Sequence, residues 1–229
     1  YPNFNASSDA SVLQSGIESK GVDEDVIIAI LVKRSNEQRQ KIKAVYEASS
    51  GKNLVKSLKS VLKSDLEDVA LALLMPPAHF DAYLLRKATK VNQQGFTVST
   101  LNLKNLILFE AAETKGDIDV STFIDILTTR NDATFCGCAV FKNCIDKKHY
   151  MKCAWNTPAF FAEKLHNAMK GHGTCEDTLM RILVSRSEID LQKIVEEYRA
   201  MYENTVHEDI LNDTKGHYQK ILLGLCGPY

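Results

Sequence analysis

The chain repeats itself. Displaced by 152 positions, its first third lies over its last. Glu24-Asp25 meets Glu176-Asp177, Ile30-Leu31-Val32 meets Ile182-Leu183-Val184, and Arg34-Ser35 meets Arg186-Ser187. Ile42 meets Ile194, Tyr46 meets Tyr198, Val69 meets Ile221, Leu73 meets Leu225 and Pro76 meets Pro228. Two unrelated amphipathic helices would share Leu and Ile, but not also Arg34, Tyr46 and Pro76. A partial third copy stands at a displacement of 96, where Ile126-Leu127 and Arg130 repeat Ile30-Leu31 and Arg34. Such repetition implies units that stack, each burying the face its neighbour leaves open.

Each complete unit reads as five helices and no strand. Ser7, Ser8 and Asp9 offer N-caps for a helix reaching about Ser19, with Gly21 as its stop. The acids Asp23-Glu24-Asp25 suit the start of a second helix, which ends near Arg34-Ser35. A third spans Asn36 to about Ala48, with Ile42, Val45 and Tyr46 on one face and Gly51 beyond it. Leu54–Leu62 and Asp65–Leu74 complete the unit, and Pro76-Pro77 closes it. The middle of the chain is less regular. It holds one helix-like stretch from Pro77 to Lys90, another from Leu101 to Ala112, and the cysteine-rich run from Phe135 to Trp155.

Composition narrows the function classes. With 45% hydrophobic and 25% charged residues, the 229-residue chain matches soluble globular proteins and has enough length for a sizeable core. A net charge of −1 and the absence of a basic run argue against nucleic acid as partner. No stretch has the 18 or so apolar residues of a membrane span. Tyr1-Pro2-Asn3-Phe4-Asn5 carries neither the basic nor the apolar segment of a signal peptide, and the first residue is not Met. A processed form with a tail ahead of Tyr1 is the expectation. Cys136, Cys138, Cys144 and Cys153 lack the paired hooks of a structural zinc site, so free, reduced thiols are expected.

Two turns point to chemistry. Met169-Lys170-Gly171-His172-Gly173-Thr174 joins two amphipathic helices, and its glycines allow carbonyls to turn outward. Leu211-Asn212-Asp213-Thr214-Lys215-Gly216 adds a carboxylate. Together they provide oxygens alone, the donor set of a hard cation such as calcium. A bland alternative is a glycine-rich helix–helix turn and an aspartate that caps a helix.

These motifs carry a family resemblance. Gly-x-Gly-Thr after an amphipathic helix, Ile-Leu-Val-x-Arg-Ser ending the next, Lys-Gly-His-Tyr before Leu-Leu-Gly-Leu-Cys-Gly, and the run from Pro158 to Gly171 resemble annexins. The resemblance is strong over 1–90 and 158–229 and weaker between. It implies an all-α fold of annexin-type repeats, about five helices each, in a right-handed superhelical, slightly curved arrangement. Annexins of this type have four repeats, and this chain is too short for four. The implied division is a first repeat over 1–76, a remnant of the second over 77–95, a shortened third over 96–157 and a fourth over 158–229. The missing parts would otherwise cover apolar surface.

The resemblance also implies ligands. Carbonyls of Met169, Gly171 and Gly173 with the carboxylate of Asp213 make the main calcium site. The first repeat has Val61 where the fourth has Asp213, and its Gly21-Val22-Asp23-Glu24 loop reads as two residues shorter. There the family pattern implies two weaker sites. Carbonyls of Gly21 and Val22 with Glu24 make one; carbonyls of Lys59 and Leu62 with Glu67 make the other. The third-repeat loop, Ala112 to Asp119, keeps Lys115-Gly116 without a distant acid.

The implied activity is calcium-dependent binding to anionic phospholipid, the ion bridging carbonyls and lipid phosphate. Lys20, Lys170 and Arg181 would support it electrostatically, at roughly 1 kcal/mol per well-placed cation. Implied roles are membrane organisation, vesicle traffic and phospholipase inhibition. An EF-hand protein would be a partner for a tail ahead of Tyr1. A cytoplasmic location, peripheral on membranes when calcium rises, is expected, with unconventional secretion as a further expectation. In a member of the family the counterpart of Cys226 pairs with a cysteine aligned to His207, so that disulfide cannot form here. Arg34, Arg130 and Arg186 read as anchors of helix ends or buried acids, and Trp155 either fills a repeat junction or stands exposed.

Two rivals complete the reading. Cys153 or Cys175 with His166 or His172 would be a nucleophile and base, but no orienting group or oxyanion turn accompanies them, and the chain reads as no enzyme. A calcium-independent helical interaction scaffold is the other.

Overall fold

In the computed structural model, which describes residues 4–89, 155–171 and 173–227, all regular structure is α-helical. The first repeat comprises α1 (Ala6–Glu18), α2 (Glu24–Val32), α3 (Asn36–Ser50), α4 (Leu54–Val61) and α5 (Ser64–Leu73). Helix α6 (Pro77–Thr89) follows. The last repeat comprises α7 (Thr157–Met169), α8 (Glu176–Arg186), α9 (Leu191–Met201), α10 (Val206–Asp213) and α11 (Gly216–Cys226). The all-α expectation and the five-helix unit both hold. The Cys136–Cys153 cluster, the loop from Ala112 to Asp119, Arg130 and His172 lie outside the described residues.

The chain divides into two compact units. Tyr1–Pro76 and Phe161–Tyr229 form one, and Pro77–Phe160 the other. In the second unit α6 buries Phe80, Ala82 and Leu84, and Phe80 stacks on Tyr83. Trp155 there is 85% exposed, which settles its two readings in favour of exposure.

Local chemistry explains the boundaries. Helix α1 starts one turn ahead of the expected caps because Asn5 Oδ1 accepts from the N–H groups of Ser7 and Ser8. That frees Asp9, whose carboxylate instead accepts two bonds from Arg34. Ser35 with Gln38, and Thr205 with Glu208, form reciprocal capping boxes at α3 and α10. Gly51, at φ +66°, closes α3 by donating to Glu47 O.

The repeat displacement is a structural symmetry. Helices α4 and α10 start and stop at corresponding residues, and Lys63 and Lys215 have matching extended backbones. The next residue has positive φ in both copies, +53° at Ser64 and +65° at Gly216. Ser64 is the only non-glycine with positive φ among the described residues. The repeat geometry therefore imposes this conformation even where no glycine eases it.

The core of the larger unit is made by matching positions of the two repeats. Leu31, Ile42, Tyr46 and Val69 are buried in one, and Leu183, Ile194, Tyr198 and Ile221 in the other. Helices α2 and α5 pack on α11, and α5 on α8, so the two repeats share one core. Gly224 sets the closest approach. A β-carbon there would meet both γ-methyls of Val32 at 3.1 Å. Val32 is β-branched and cannot swing aside freely. Gly224→Val is expected to overpack this seam and cost about 1–3 kcal/mol, read as a lower urea midpoint.

Polar contacts pin the same seam. Glu188 accepts from the N–H of Asn36 at 2.6 Å and pairs with Arg39 at 3.4 Å. Arg39 is buried and also donates to Leu31 O at 2.7 Å; burial pulls its guanidinium down to about 10, with Glu188 opposing. Of the recurrent arginines, Arg34 and Arg186 hold acids, as expected, but different ones. Arg34 takes Asp9; Arg186 takes Asp190 through two bonds, at 2.7 and 2.5 Å. The position of Asp9 is Phe161 in the last repeat, and Arg186 sits over that ring at 4.9 Å. Both arginines combine an ion pair with a ring contact, since Arg34 lies over the Phe4 ring at 5.7 Å.

Buried protonated groups make the fold alkali-sensitive. Burial pushes the Cys226 thiol up to about 12 and raises the phenols of Tyr198 and Tyr218. A hydrogen bond to Asp209 adds to the shift at Tyr198. The unfolded chain releases these protons first, so their contribution is complete at neutral pH and is lost as pH rises past the ordinary thiol and phenol ranges. Each group steepens the decline by up to about 1.4 kcal/mol per pH unit. The urea midpoint above pH 10 should accordingly fall below that at pH 8.

Candidate functional site

Helix α7 ends at Met169, and the turn that follows is bounded at both ends. Cys175 N donates to Ala168 O at 2.8 Å, closing the turn ahead of α8. Between them Gly171 and Gly173 adopt φ of +120° and +116°, conformations that L-residues with side chains avoid. Nothing lies within 4 Å of a β-carbon placed on either glycine, so it is the backbone conformation and not crowding that demands glycine. Both are exposed, while the Met169 side chain is buried and anchors the end of the helix.

Asp213 is the last residue of α10. The Thr174 hydroxyl lies 2.6 Å from its Oδ2 and 3.2 Å from its carbonyl oxygen, so the turn and the distant acid are joined directly. Thr174 is a positioning residue that the sequence reading missed; its place directly after Gly-x-Gly was the available signal. Thr174 thus links the turn to Asp213, and Met169 and Asp213 line the same cleft.

The donor set is oxygen-rich and poor in soft ligands. No group of three or more His, Cys, Asp or Glu side chains clusters for a metal among the described residues. A cation held here would depend on backbone carbonyls and one carboxylate. That suits calcium and does not suit zinc.

The first-repeat turn differs from its expected form. It is not two residues shorter: Asp23 N donates to Gly16 O at 2.9 Å, the counterpart of the Cys175–Ala168 bond. The turns match in register because the same backbone bond closes both. Their torsions differ, since Gly21 is not among the positive-φ glycines. Gly21 is exposed and donates to Ser19 O, and Val22 O accepts from Glu24 N. Glu24 opens α2 beside this turn, but its carboxylate lies 2.5 Å from Nδ1 of His217 in α11. Nε2 of the same ring is 3.5 Å from Asp25, which Lys220 also holds at 2.7 Å. Val61 stands where the last repeat has Asp213, so no distant acid reaches this turn from that position. In the other first-repeat set, Lys59 is exposed on α4, Leu62 caps it, and Glu67 lies in the first turn of α5.

Among the cations expected to flank the turns, Lys20 and Lys170 are exposed. Arg181 is not available: it is 6% exposed within α8, because its place on that helix faces the core. Of the residues in the cysteine-enzyme reading, His166 and Cys175 are described, and each faces another partner. His166 Nδ1 faces the Tyr198 hydroxyl at 3.2 Å, and Cys175 Sγ faces Thr178 at 3.2 Å.

A cleft of about 380 Å³ opens beside the last-repeat turn. Met169, Lys170, Tyr202, Glu203, Asp209 and Asp213 are among its lining residues. The His166 ring stacks on Tyr202 with centroids 3.8 Å apart. Asp209 accepts from the Tyr198 hydroxyl and from Asn204 at 2.8 Å. The sequence reading did not find this cleft.

Comparison with known proteins places both repeats. The annexin family model matches residues 8–73 and 160–225. Annexin A1 of Cavia cutleri is 37% identical over 310 aligned positions, covering 99% of this chain and 88% of that protein. Annexin A1 of Homo sapiens is 37% identical over 306, with the same coverage. Both alignments exceed the 229 residues of this chain, so the relatives carry residues without counterparts here. Among solved structures, annexin III superposes with a TM-score of 0.74 at 29% identity, covering 100% of this chain and 95% of that one. Chicken annexin V in complex with Zn2+ gives 0.75 at 27%, covering 100% and 97%. A calcium-bound annexin (Sm)1 shares the fold at a TM-score of 0.69. Matched across both complete repeats and along nearly its whole length, the chain belongs to the annexin family.

Proposed function

We propose that this protein attaches to anionic phospholipid membranes when calcium is present, principally through the last-repeat turn. The observation that carries this is the union of an exposed Gly171/Gly173 turn with Asp213 through Thr174. The carbonyls of Met169, Gly171 and Gly173 and the Asp213 carboxylate would hold the ion. Bound calcium would supply open coordination positions for lipid phosphate oxygens. Thr174 orients the Asp213 carboxylate, and Lys170 adds positive charge at the same edge. No helix among the described residues is long and apolar enough to cross a membrane, which suits peripheral attachment.

The first repeat supports the attachment more weakly. Gly21 and Val22 with Glu24, and Lys59 and Leu62 with Glu67, are its two candidate ligand sets. At the first of these, His217 already occupies the acid. His217→Ala should raise the calcium affinity of the Gly21 turn by about 2- to 10-fold, the equivalent of one hydrogen bond. Titrating calcium into the Asp213→Ala, His217→Ala double variant isolates that turn.

We read 77–95 as a remnant of a second repeat and 96–157 as a shortened third, so the two complete repeats, 1–76 and 158–229, bear most of the binding. A cytoplasmic location and roles in membrane organisation, vesicle traffic or phospholipase inhibition would follow from membrane attachment.

Co-sedimentation with phosphatidylserine vesicles tests the reading. Binding in calcium that chelator reverses is expected. Binding unaffected by chelator would favour a calcium-independent scaffold.

A further inference from the structure

We propose that the side-chain amide of Gln219 fills, in the last repeat, the place that a calcium ion takes between Lys59, Leu62 and Glu67 in the first. The residue at this place then decides whether a repeat loads a metal there or closes the turn with its own chain. The inference rests on the preceding reading, which takes Lys59, Leu62 and Glu67 as a ligand set, and it adds the group that governs such a set.

Two hydrogen bonds close the end of α10. Gln219 Nε2 donates to Leu211 O at 3.1 Å and to Thr214 O at 2.5 Å. Both acceptors are carbonyls, so the amide presents its NH2 to them and not its oxygen. The carbonyls belong to the last turn of α10 and its cap, where a helix leaves such groups without a partner of its own. They converge on one nitrogen whose hydrogens carry partial positive charge. At the repeat displacement of 152 positions, Leu211, Thr214 and Gln219 correspond to Lys59, Leu62 and Glu67. The two carbonyls held by the amide are therefore the counterparts of the two assigned to an ion in the first repeat.

The backbone that carries these carbonyls follows one path in both repeats. Leu62 and Thr214 are extended caps, at ψ 158° and 166°, and each donates to the fourth residue before it, at 2.8 and 3.0 Å. Lys63 and Lys215 are extended, and Ser64 and Gly216 turn to positive φ. The third member of the set differs in kind. Glu67, in the first turn of α5, brings a carboxylate where Gln219 brings an amide. An ionised carboxylate donates nothing to a carbonyl, so the first-repeat set consists of oxygens alone and needs a cation to hold it together. Calcium takes such oxygens at about 2.3–2.6 Å, close to the gap that the amide bridges. The amide satisfies the same carbonyls without metal and offers no charge to attract one. Gln219 is thus an internal substitute for the ion, and it leaves the last repeat with the Gly171–Gly173 turn and Asp213 as its calcium site.

The test counts bound calcium by calorimetric titration into the millimolar range and reads melting temperature in chelator and in calcium. In an Asp213→Ala background, which silences the main turn, Gln219→Glu should bind one more calcium ion than its parent. Its melting temperature should fall in chelator, where the new carboxylate faces two carbonyls, and recover in calcium. Gln219→Ala in the same background removes the amide without supplying charge and should add no ion. Glu67→Gln, made alone, should lose one calcium ion and melt higher in chelator, because its amide bridges Lys59 O and Leu62 O. That variant keeps the test decisive should Gln219→Glu fail to fold. An unchanged calcium count in Gln219→Glu or in Glu67→Gln, or an added ion in Gln219→Ala, would overturn the proposal. Each count is taken against its own parent, so calcium-dependent attachment stands or falls separately: it fails if the unmodified protein binds phosphatidylserine vesicles equally well in chelator.

Discussion

Replacing Asp213 with alanine is expected to raise the calcium needed for half-maximal vesicle binding by on the order of 10- to 100-fold, since it removes the one charged ligand of a carbonyl-rich site. The loss should be selective. Asp213 ends α10 and is partly exposed, and its hydrogen-bond partner Thr174 lies in the turn rather than in the core. Stability without calcium should therefore fall by only about 1–3 kcal/mol, the range for a hydrogen bond to a charged group. Asp213→Asn sharpens the point, because the amide keeps an oxygen and a partner for Thr174 but removes the charge. It should fold like the unmodified protein and still lose most calcium affinity. Calorimetric titration of both variants separates ligand loss from unfolding.

Arg186→Ala is expected to be the most damaging of the changes considered to stability, at about 3–5 kcal/mol. The arginine is 4% exposed, makes two bonds to Asp190 and covers the ring of Phe161. Truncation leaves Asp190 partly buried without its partner and opens space above Phe161. Its counterpart, Arg34→Ala, should cost less, because the Arg34 side chain retains 18% exposure against 5% for Arg186, while the two carboxylates are about equally exposed at 12% and 14%. Unfolding in urea, followed by far-UV circular dichroism, should rank the two in that order. Equal losses would show that burial does not set the difference.

The fold was legible because repetition and helical periodicity are properties of the order of residues. Tyr46 and Tyr198, or Val69 and Ile221, announced shared core positions without any coordinates, and all four are buried. Helix ends were read to within a few residues, and errors arose where two polar residues competed. Asn5 took the cap expected of Ser7, Ser8 or Asp9, and Asp9 was then available to Arg34. The last-repeat turn was legible through its glycines, whose torsions proved to be those only glycine adopts readily. What pairs across the repeat interface was not legible. The approach of His217 to Glu24, and of Glu188 to Asn36 and Arg39, depends on how two repeats dock, and their sequence separation hides it. Arg181 was misplaced for a related reason: a charge near a loop in sequence can still face inward on a helix. The cleft escaped because its residues come from the ends of three helices. Only the contrast between Tyr202, Glu203 and Asp209 and their counterparts Ser50, Gly51 and Ser57 marks it.

The central claim is that the Gly171–Gly173 turn and Asp213 together hold calcium. A crystal structure grown in saturating calcium, with anomalous difference density, tests it most directly. The expected map shows an ion bonded to the carbonyl oxygens of Met169, Gly171 and Gly173 and to the carboxylate of Asp213, at about 2.3–2.6 Å. A map with no ion at that turn, in a lattice that leaves the turn open to solvent, would contradict it.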